Sequence, residues 1–240
     1  MGSVGATTKQ QSKVEFAWLG APDATRTDAL LNNELNAMQL LMSVNPHRGE
    51  KEYNGNCAQC SAAALLNYEG YDLEAGPRDK KQERGVQTIW DFDFKNYDNY
   101  VSPSTPTYWS TFGGNVQNYY DSKSNPNKFP TRVPAVATKI VDTMNKWGTG
   151  ARAELSLGWK TGGGHSVVVI NEKTGPVIYD YQIKRAYRGR DEIQNYLQTA
   201  NLGRGIKPGE TMLVRVDNVP KKAHIDDATF SKMFKKRGGQ

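Results

Sequence analysis

The sequence contains two cysteines, and both lie in the segment NGNCAQCSAAALLNYEG, residues 54–70. Cys57 and Cys60 are three positions apart, a spacing found in redox pairs, in halves of zinc sites and around catalytic thiols. A redox pair of the thioredoxin type follows an apolar strand, whereas the residues before this pair, PHRGEKEYNGN, are polar. A zinc site needs four ligands, and the three histidines of the chain are widely scattered. These features favour a buried structural pair or a catalytic thiol, with redox chemistry as a weaker alternative.

The catalytic alternative depends on where the helix that carries the cysteines begins. Asn56 is a good N-cap residue, Gln59 stands where a capping box has its partner, and Gly70 suits the C-terminal cap. Cys57 is then the first helical residue, and thiols at helix N-termini ionise readily and become nucleophiles. Cys60 falls one turn later in apolar surroundings. We therefore expect Cys57 to be the nucleophile, and a helix that begins three residues later would reverse the two roles.

A cysteine nucleophile needs a base, usually a histidine that a carboxylate or amide orients. The segment GGGHSVVVINEKTGPVIYDYQ predicts an apolar strand, a turn and a returning strand. If Asn171 pairs with Pro176, His165 faces Gln182 and Asp180 lies diagonally from His165 on the same face, with about 7–8 Å between backbones. A slip of one residue would move Asp180 to the other face. The predicted base is His165, oriented by Asp180.

In the order of its motifs, the chain resembles the papain-fold toxin domains, which include glutamine deamidase-type effectors of bacterial polymorphic toxins and occur in phage minor head proteins. The matching segments are NCAQCSAA, EGYDLEAGP, LSLGWK, GGHSVVVIN and YDYQ, and LVRVDN at 213–218 resembles the terminal strand of the phage versions. The resemblance implies a papain-like α+β fold with Cys57, His165 and Asp180 as the catalytic triad. Gln182 matches the amide that follows the aspartate, and Tyr181 departs from the proline that the family usually has there.

The wider pattern places these residues in one α+β domain, with helices first and an antiparallel sheet afterwards. Amphipathic spacing predicts one helix over 27–46 and another over 132–150, and residues 71–135 read as loops with short elements. A short helix, DEIQNYLQTA, and a fourth strand, GETMLVRVDN, follow the hairpin. We expect a disordered N-terminus over 1–14, a papain-like domain over 15–219 and a basic tail over 220–240.

Composition limits the partners of this domain. The net charge is +6, and the segment from Pro220 to Gln240 carries six basic and two acidic residues, so it holds most of the excess. Such a tail is usually solvated, with nonspecific nucleic-acid contact as the alternative. The sequence predicts no cofactor and no metal. It also predicts no membrane partner, because no apolar run reaches the roughly 18 residues of a membrane helix. The N-terminus lacks the apolar segment of a secretory signal, so we expect synthesis in the cytoplasm, followed by delivery to a target cell or packaging in a virion.

We expect a cysteine hydrolase that acts on protein substrates as a glutamine deamidase or a protease, with transglutaminase activity as a further variant. The predicted oxyanion donor is the backbone N–H of Cys57, with Asn54 and Asn56 as weaker candidates. A cognate immunity protein would be the partner of a toxin. The rival hypothesis is a virion structural protein that keeps the fold, meets phage capsid or portal proteins, and contacts nucleic acid through its basic tail.

Overall fold

The computed structural model describes residues 18–78, 85–91, 109–111, 133–207, 211–222 and 224–237. The helices are α1 (Ala24–Asn32), α2 (Glu34–Ser43), α3 (Cys57–Asn67), α4 (Val86–Ile89), α5 (Val133–Trp147), α6 (Gly189–Thr199) and α7 (Asp227–Met233). The strands are β1 (Leu73–Ala75), β2 (Trp109–Thr111), β3 (Arg152–Gly158), β4 (Gly164–Glu172), β5 (Gly175–Asp180), β6 (Arg185–Arg188), β7 (Met212–Arg215) and β8 (Phe234–Lys236). This arrangement confirms the predicted α+β class.

Six of the strands form an antiparallel sheet in the order β2-β7-β3-β4-β5-β6. The hairpin of β4 and β5 pairs Asn171 with Pro176, which confirms the predicted register. The four predicted strands correspond to β3, β4, β5 and β7. A short turn joins β4 to β5 in an antiparallel hairpin. The N-terminal end of β4 therefore lies beside the C-terminal end of β5.

Successive apolar residues of the central strands point to opposite faces of the sheet and so belong to two separate cores. Val168 and Ile170 of β4 belong to the core that contains α3, whereas Val167 and Val169 belong to the core that contains α5 and α6. The side chains of a strand point alternately to opposite faces, so a run of valines with one isoleucine is buried on both sides. The sheet is therefore a fixed central layer, and α3 is held against one face of it.

The N-terminal helical region differs from its prediction. The pattern over 27–46 predicts one helix, but α1 ends at Asn32 and α2 begins at Glu34. Asn33 between them has an extended backbone, and its side-chain oxygen accepts a hydrogen bond from the backbone N–H of Leu35. An asparagine that caps the following helix interrupts the preceding one, because the capping residue has non-helical dihedral angles.

The basic C-terminal segment packs on the domain instead of extending from it. Phe230 and Met233 of α7 and Phe234 of β8 are buried in the core of α3. Strand β8 pairs with β1 in an antiparallel two-stranded sheet. The three apolar side chains anchor the segment, while Lys235 and Lys236 are exposed. The expected solvated tail is thus, over 227–236, a helix and a strand of the fold.

Two other predictions fall wholly or partly outside the described residues. The N-terminal segment 1–14 lies outside them. Within 71–135 the structure describes β1, α4 and β2, which agree with a region of short elements, whereas 79–84, 92–108 and 112–132 lie outside.

Candidate active site

The two cysteines occupy different environments on α3. Cys57 is the first residue of the helix and is partly exposed, whereas Cys60 is 1% exposed. The Cys60 thiol donates a hydrogen bond to Asn56 Oδ1 at 3.4 Å, and burial, followed by the neighbouring Cys57 and Asp180, raises its pKa. Cys57 lies on the wall of a cleft of about 860 Å³, which Cys60 does not line. Of the two thiols, Cys57 is therefore the one that a substrate can reach.

The side chain of Asn56 supports the start of α3 without capping it. Its amide nitrogen donates to the carbonyl of Gly76 at 3.0 Å, and its amide pairs with that of buried Asn45. Asn56 is the N-cap by position but makes no side-chain capping hydrogen bond, so the predicted capping box with Gln59 is wrong. The first backbone N–H groups of α3 are consequently not satisfied by this side chain, and they lie at the edge of the cleft.

His165 and Asp180 meet at the end of the β4–β5 hairpin. Nε2 of His165 lies 2.7 Å from Oδ2 of Asp180, and both side chains line the same cleft as Cys57. The Asn171–Pro176 register continues to place His165 opposite Gln182, two residues after Asp180. The side chains of His165 and Asp180 therefore meet diagonally, as the sequence predicts. Asp180 is 1% exposed, and a buried carboxylate needs such partners.

The charge state of His165 follows from its two neighbours. Burial alone would lower the pKa of His165, but hydrogen bonds to Asp180 and Cys57, with the negative charges of these groups, raise it to about 10. Since Nε2 is bound to Asp180, Nδ1 is the ring nitrogen left for the thiol. Trp159 stacks on the imidazole with ring centroids 5.8 Å apart. The two neighbours therefore favour the protonated imidazole over the neutral one.

A known protein family matches the part of the chain that contains Cys57, His165 and Asp180. The family model described as "Papain fold toxin 1, glutamine deamidase" matches residues 55–185, more than half of the chain. The chain belongs to this family. The match includes Cys57, His165, Asp180 and Gln182, and it confirms the resemblance and the papain-like fold. No curated protein and no solved structure matches the chain significantly.

Membership in the papain-fold glutamine deamidase family implies a cysteine-dependent deamidase of toxin type. A toxin domain of this kind acts on target proteins. None of the helices in the described ranges is both long and apolar enough to cross a membrane.

Gln182, the fourth residue that the sequence singles out, also lies on the cleft wall. It follows Asp180 by two positions, with buried Tyr181 between them. Tyr181 packs against Tyr179 with ring centroids 5.9 Å apart, so the family's proline position is filled by a core aromatic. The departure at Tyr181 leaves Asp180 in contact with His165.

Several side chains of the site carry no signal in the sequence. The hydroxyl of Tyr196 on α6 donates to Oδ2 of Asp180 at 3.0 Å, and the backbone N–H of Ile183 donates to Oδ1 at 3.3 Å. Glu154, buried on the cleft wall, accepts a hydrogen bond from Ser166, and burial raises its pKa to about 7. An isolated tyrosine in a predicted helix and a glutamate in a strand become recognisable only when the sheet and α6 are assembled.

Proposed function

We propose that this domain deamidates glutamine side chains of protein substrates with Cys57 as nucleophile, His165 as acid and base, and Asp180 as the residue that orients His165. The observation that carries the proposal is the presence in one cleft of a thiol at a helix N-terminus and a histidine held at 2.7 Å by a buried carboxylate. This combination is the general requirement for nucleophilic catalysis by cysteine.

In the first half of the reaction, the Cys57 thiolate attacks the carboxamide carbon of the glutamine. The carbonyl oxygen becomes an oxyanion, for which the backbone N–H of Cys57 is the proposed donor, together with the positive end of the α3 dipole. Asn56 is a poor donor because its amide nitrogen already binds Asn45 and the Gly76 carbonyl. His165 then transfers its Nδ1 proton to the departing nitrogen, and ammonia leaves a thioester on Cys57.

In the second half, neutral His165 takes a proton from water as the water oxygen attacks the thioester carbon. The carbon–sulfur bond breaks, glutamate is released, and the thiolate–imidazolium pair is restored. Asp180 keeps Nε2 of His165 fixed through both halves, so the same nitrogen, Nδ1, faces the reacting groups. We assign Gln182, on the cleft wall, to holding the substrate carboxamide.

A protease would use the same steps with a peptide amine as the leaving group, and a transglutaminase would use an amine instead of water. The family match favours the deamidase. A cognate immunity protein and delivery to a target cell are proposed with it. The virion-protein alternative and nucleic-acid contact through the basic segment remain untested predictions.

The test is to incubate the purified chain with glutamine-containing proteins and to measure ammonia release and the mass change from glutamine to glutamate. We expect Cys57→Ala to lower the rate by about 10⁴–10⁶-fold, and the matched control Cys60→Ala to keep most of it. Cleavage of the peptide chain, or incorporation of an added amine, would instead identify a protease or a transglutaminase. Equal loss of activity in both cysteine variants would contradict the proposed division of roles and point to a redox pair.

A further inference from the structure

The charged side chains on the cleft wall are divided by depth. Its two carboxylates, on Glu154 and Asp180, are buried, at 4% and 1% exposure, whereas its two arginines, Arg78 and Arg185, are exposed. Among the described residues that line the cleft, the exposed full charges are therefore positive. An incoming protein segment meets the arginines before it meets the carboxylates.

The two arginines lie on different sides of the candidate site, Arg78 near Cys57 and Arg185 near Asp180. Arg78 packs over Gly55, two residues before Cys57: a Cβ atom built on Gly55 would lie 3.1 Å from Arg78 Nη1. The backbone N–H of Arg78 donates to the Glu52 carbonyl at 2.8 Å, which fixes its position. Arg185 is directly opposite Asp180 in the β5–β6 ladder. Arg78 thus lies beside the start of the helix that carries Cys57, and Arg185 lies beside Asp180, which binds His165.

Neither arginine has a carboxylate partner within the described part of the chain. Asp180 is bound by His165, Tyr196 and the backbone N–H of Ile183, and Glu154 is bound by Ser166. Arg185 lies close enough to Tyr187 to lower the pKa of that hydroxyl against the effect of burial, as expected of a nearby positive charge. The N-terminus of α3, an eleven-residue helix, adds positive potential at the same place. Clefts lined by one sign of charge concentrate ligands of the opposite sign.

We infer that the substrate segment carries acidic residues on both sides of the target glutamine, one contacting Arg78 and the other Arg185. This inference rests on the proposed deamidase function, which it deepens by naming the substrate class. Arginine suits the task because its planar guanidinium binds a carboxylate through two parallel hydrogen bonds. The glutamine between the two acidic residues is then presented to Cys57.

The experiment uses three peptides that share one central glutamine and differ only in the flanking residues, which are glutamate, serine or lysine. Ammonia release gives kcat/KM for each peptide with the wild type, Arg78→Gln, Arg185→Gln and the control Arg190→Gln. Arg190 is an exposed arginine on α6 that pairs with Asp142 and does not line the cleft. We expect the wild type to prefer the glutamate peptide over the serine peptide by about tenfold, with the preference falling as salt increases.

Arg78→Gln and Arg185→Gln should each reduce that preference by about threefold or more, and Arg190→Gln should leave it unchanged. Equal kcat/KM for the three peptides, or a preference that both cleft variants retain, would overturn the inference while leaving the deamidase intact. If the wild type releases ammonia from none of them, the deamidase proposal fails on these substrates, and peptide binding to Cys57→Ala decides the inference. Tighter binding of the glutamate peptide that depends on Arg78 and Arg185 would support it, and equal binding would overturn it.

Discussion

At the scale of single residues, Asp180 joins the base of the proposed site to the rest of the fold. Its two oxygens are bound by His165, by the hydroxyl of Tyr196 and by the backbone N–H of Ile183. A buried carboxylate with three donors is held rigidly, and it transmits that rigidity to the imidazole. Asp180 therefore controls both the orientation and the charge of His165.

Replacing Asp180 with Asn should change both the orientation and the charge of His165, which two different kinetic quantities report. The hydrogen bonds and negative charges of Asp180 and Cys57 together raise the pKa of His165 to about 10, and Asp180 gives the largest of these contributions. Loss of the carboxylate lowers the pKa of His165, and the alkaline limb of kcat/KM should move to lower pH. We also expect kcat to fall by about 10²–10⁴-fold, because the amide no longer stabilises the correct ring orientation.

The measurement is the pH profile of ammonia release, with Asp142→Asn as control. Asp142 is an exposed carboxylate that pairs with Arg190 away from the cleft. An alkaline limb that stays in place in Asp180→Asn would show that Asp180 does not set the charge of His165.

At the scale of elements, the loop after α6 forms a rigid part of the cleft rim. Its backbone is tied to the end of α6, with the Gly203 N–H donating to the Thr199 carbonyl at 2.7 Å and Gly205 N–H to the Ala200 carbonyl at 2.9 Å. Leu202, on the cleft wall, has a φ of 59° and is 92% exposed. A leucine rarely adopts this left-handed backbone, which costs about 1–2 kcal/mol. We expect Leu202, an exposed apolar side chain on a strained turn of the cleft rim, to contact a protein substrate.

Leu202→Gly and Leu202→Ala both remove the isopropyl group of the leucine, and they differ in backbone strain because only alanine keeps a Cβ atom. We expect the glycine variant to be more stable than the alanine variant by about 1 kcal/mol, because glycine adopts positive φ without a Cβ penalty. Denaturant unfolding of both variants checks this difference. An alanine variant of equal or greater stability would contradict the left-handed backbone at this position. Both variants should have a raised KM for protein substrates, because each lacks the leucine side chain.

At the scale of the whole molecule, the C-terminal segment closes the core that holds α3. Phe230 is fully buried and stacks on Trp18 with ring centroids 5.7 Å apart, and β8 pairs with β1, the strand that follows α3. The position of α3 thus depends on residues more than 150 positions away from Cys57. Lys232, Lys235 and Lys236 of this segment are exposed, and its buried apolar residues pack into the core.

Phe230→Ala should lower the free energy of unfolding by about 3–5 kcal/mol, the usual cost of removing a buried phenylalanine. The control Lys232→Ala, on the exposed side of the same helix, should change it by less than about 0.5 kcal/mol. Denaturant unfolding measures both. Near-equal stabilities of the two variants would indicate that this helix does not contribute to the core.

The parts of the site that could be predicted from the sequence depend on residues close together in the chain. The start of α3 at Cys57 follows from local helix signals, and the contact of Asp180 with His165 follows from a hairpin with a short turn. Tyr196 and the pairing of β8 with β1 could not be predicted, because they join residues far apart in sequence and depend on tertiary packing. The capping box failed for the same reason, since buried Asn45 competes for the Asn56 side chain.

The most direct test of the central claim is the rate of Cys57 alkylation by iodoacetamide as a function of pH, measured in a Cys60→Ala background with and without His165→Ala. We expect fast alkylation of Cys57 well below about pH 8, the range in which an isolated thiol begins to react, and loss of this reactivity in the His165 variant. Slow alkylation with an ordinary thiol profile, indifferent to His165, would contradict an ion pair between Cys57 and His165.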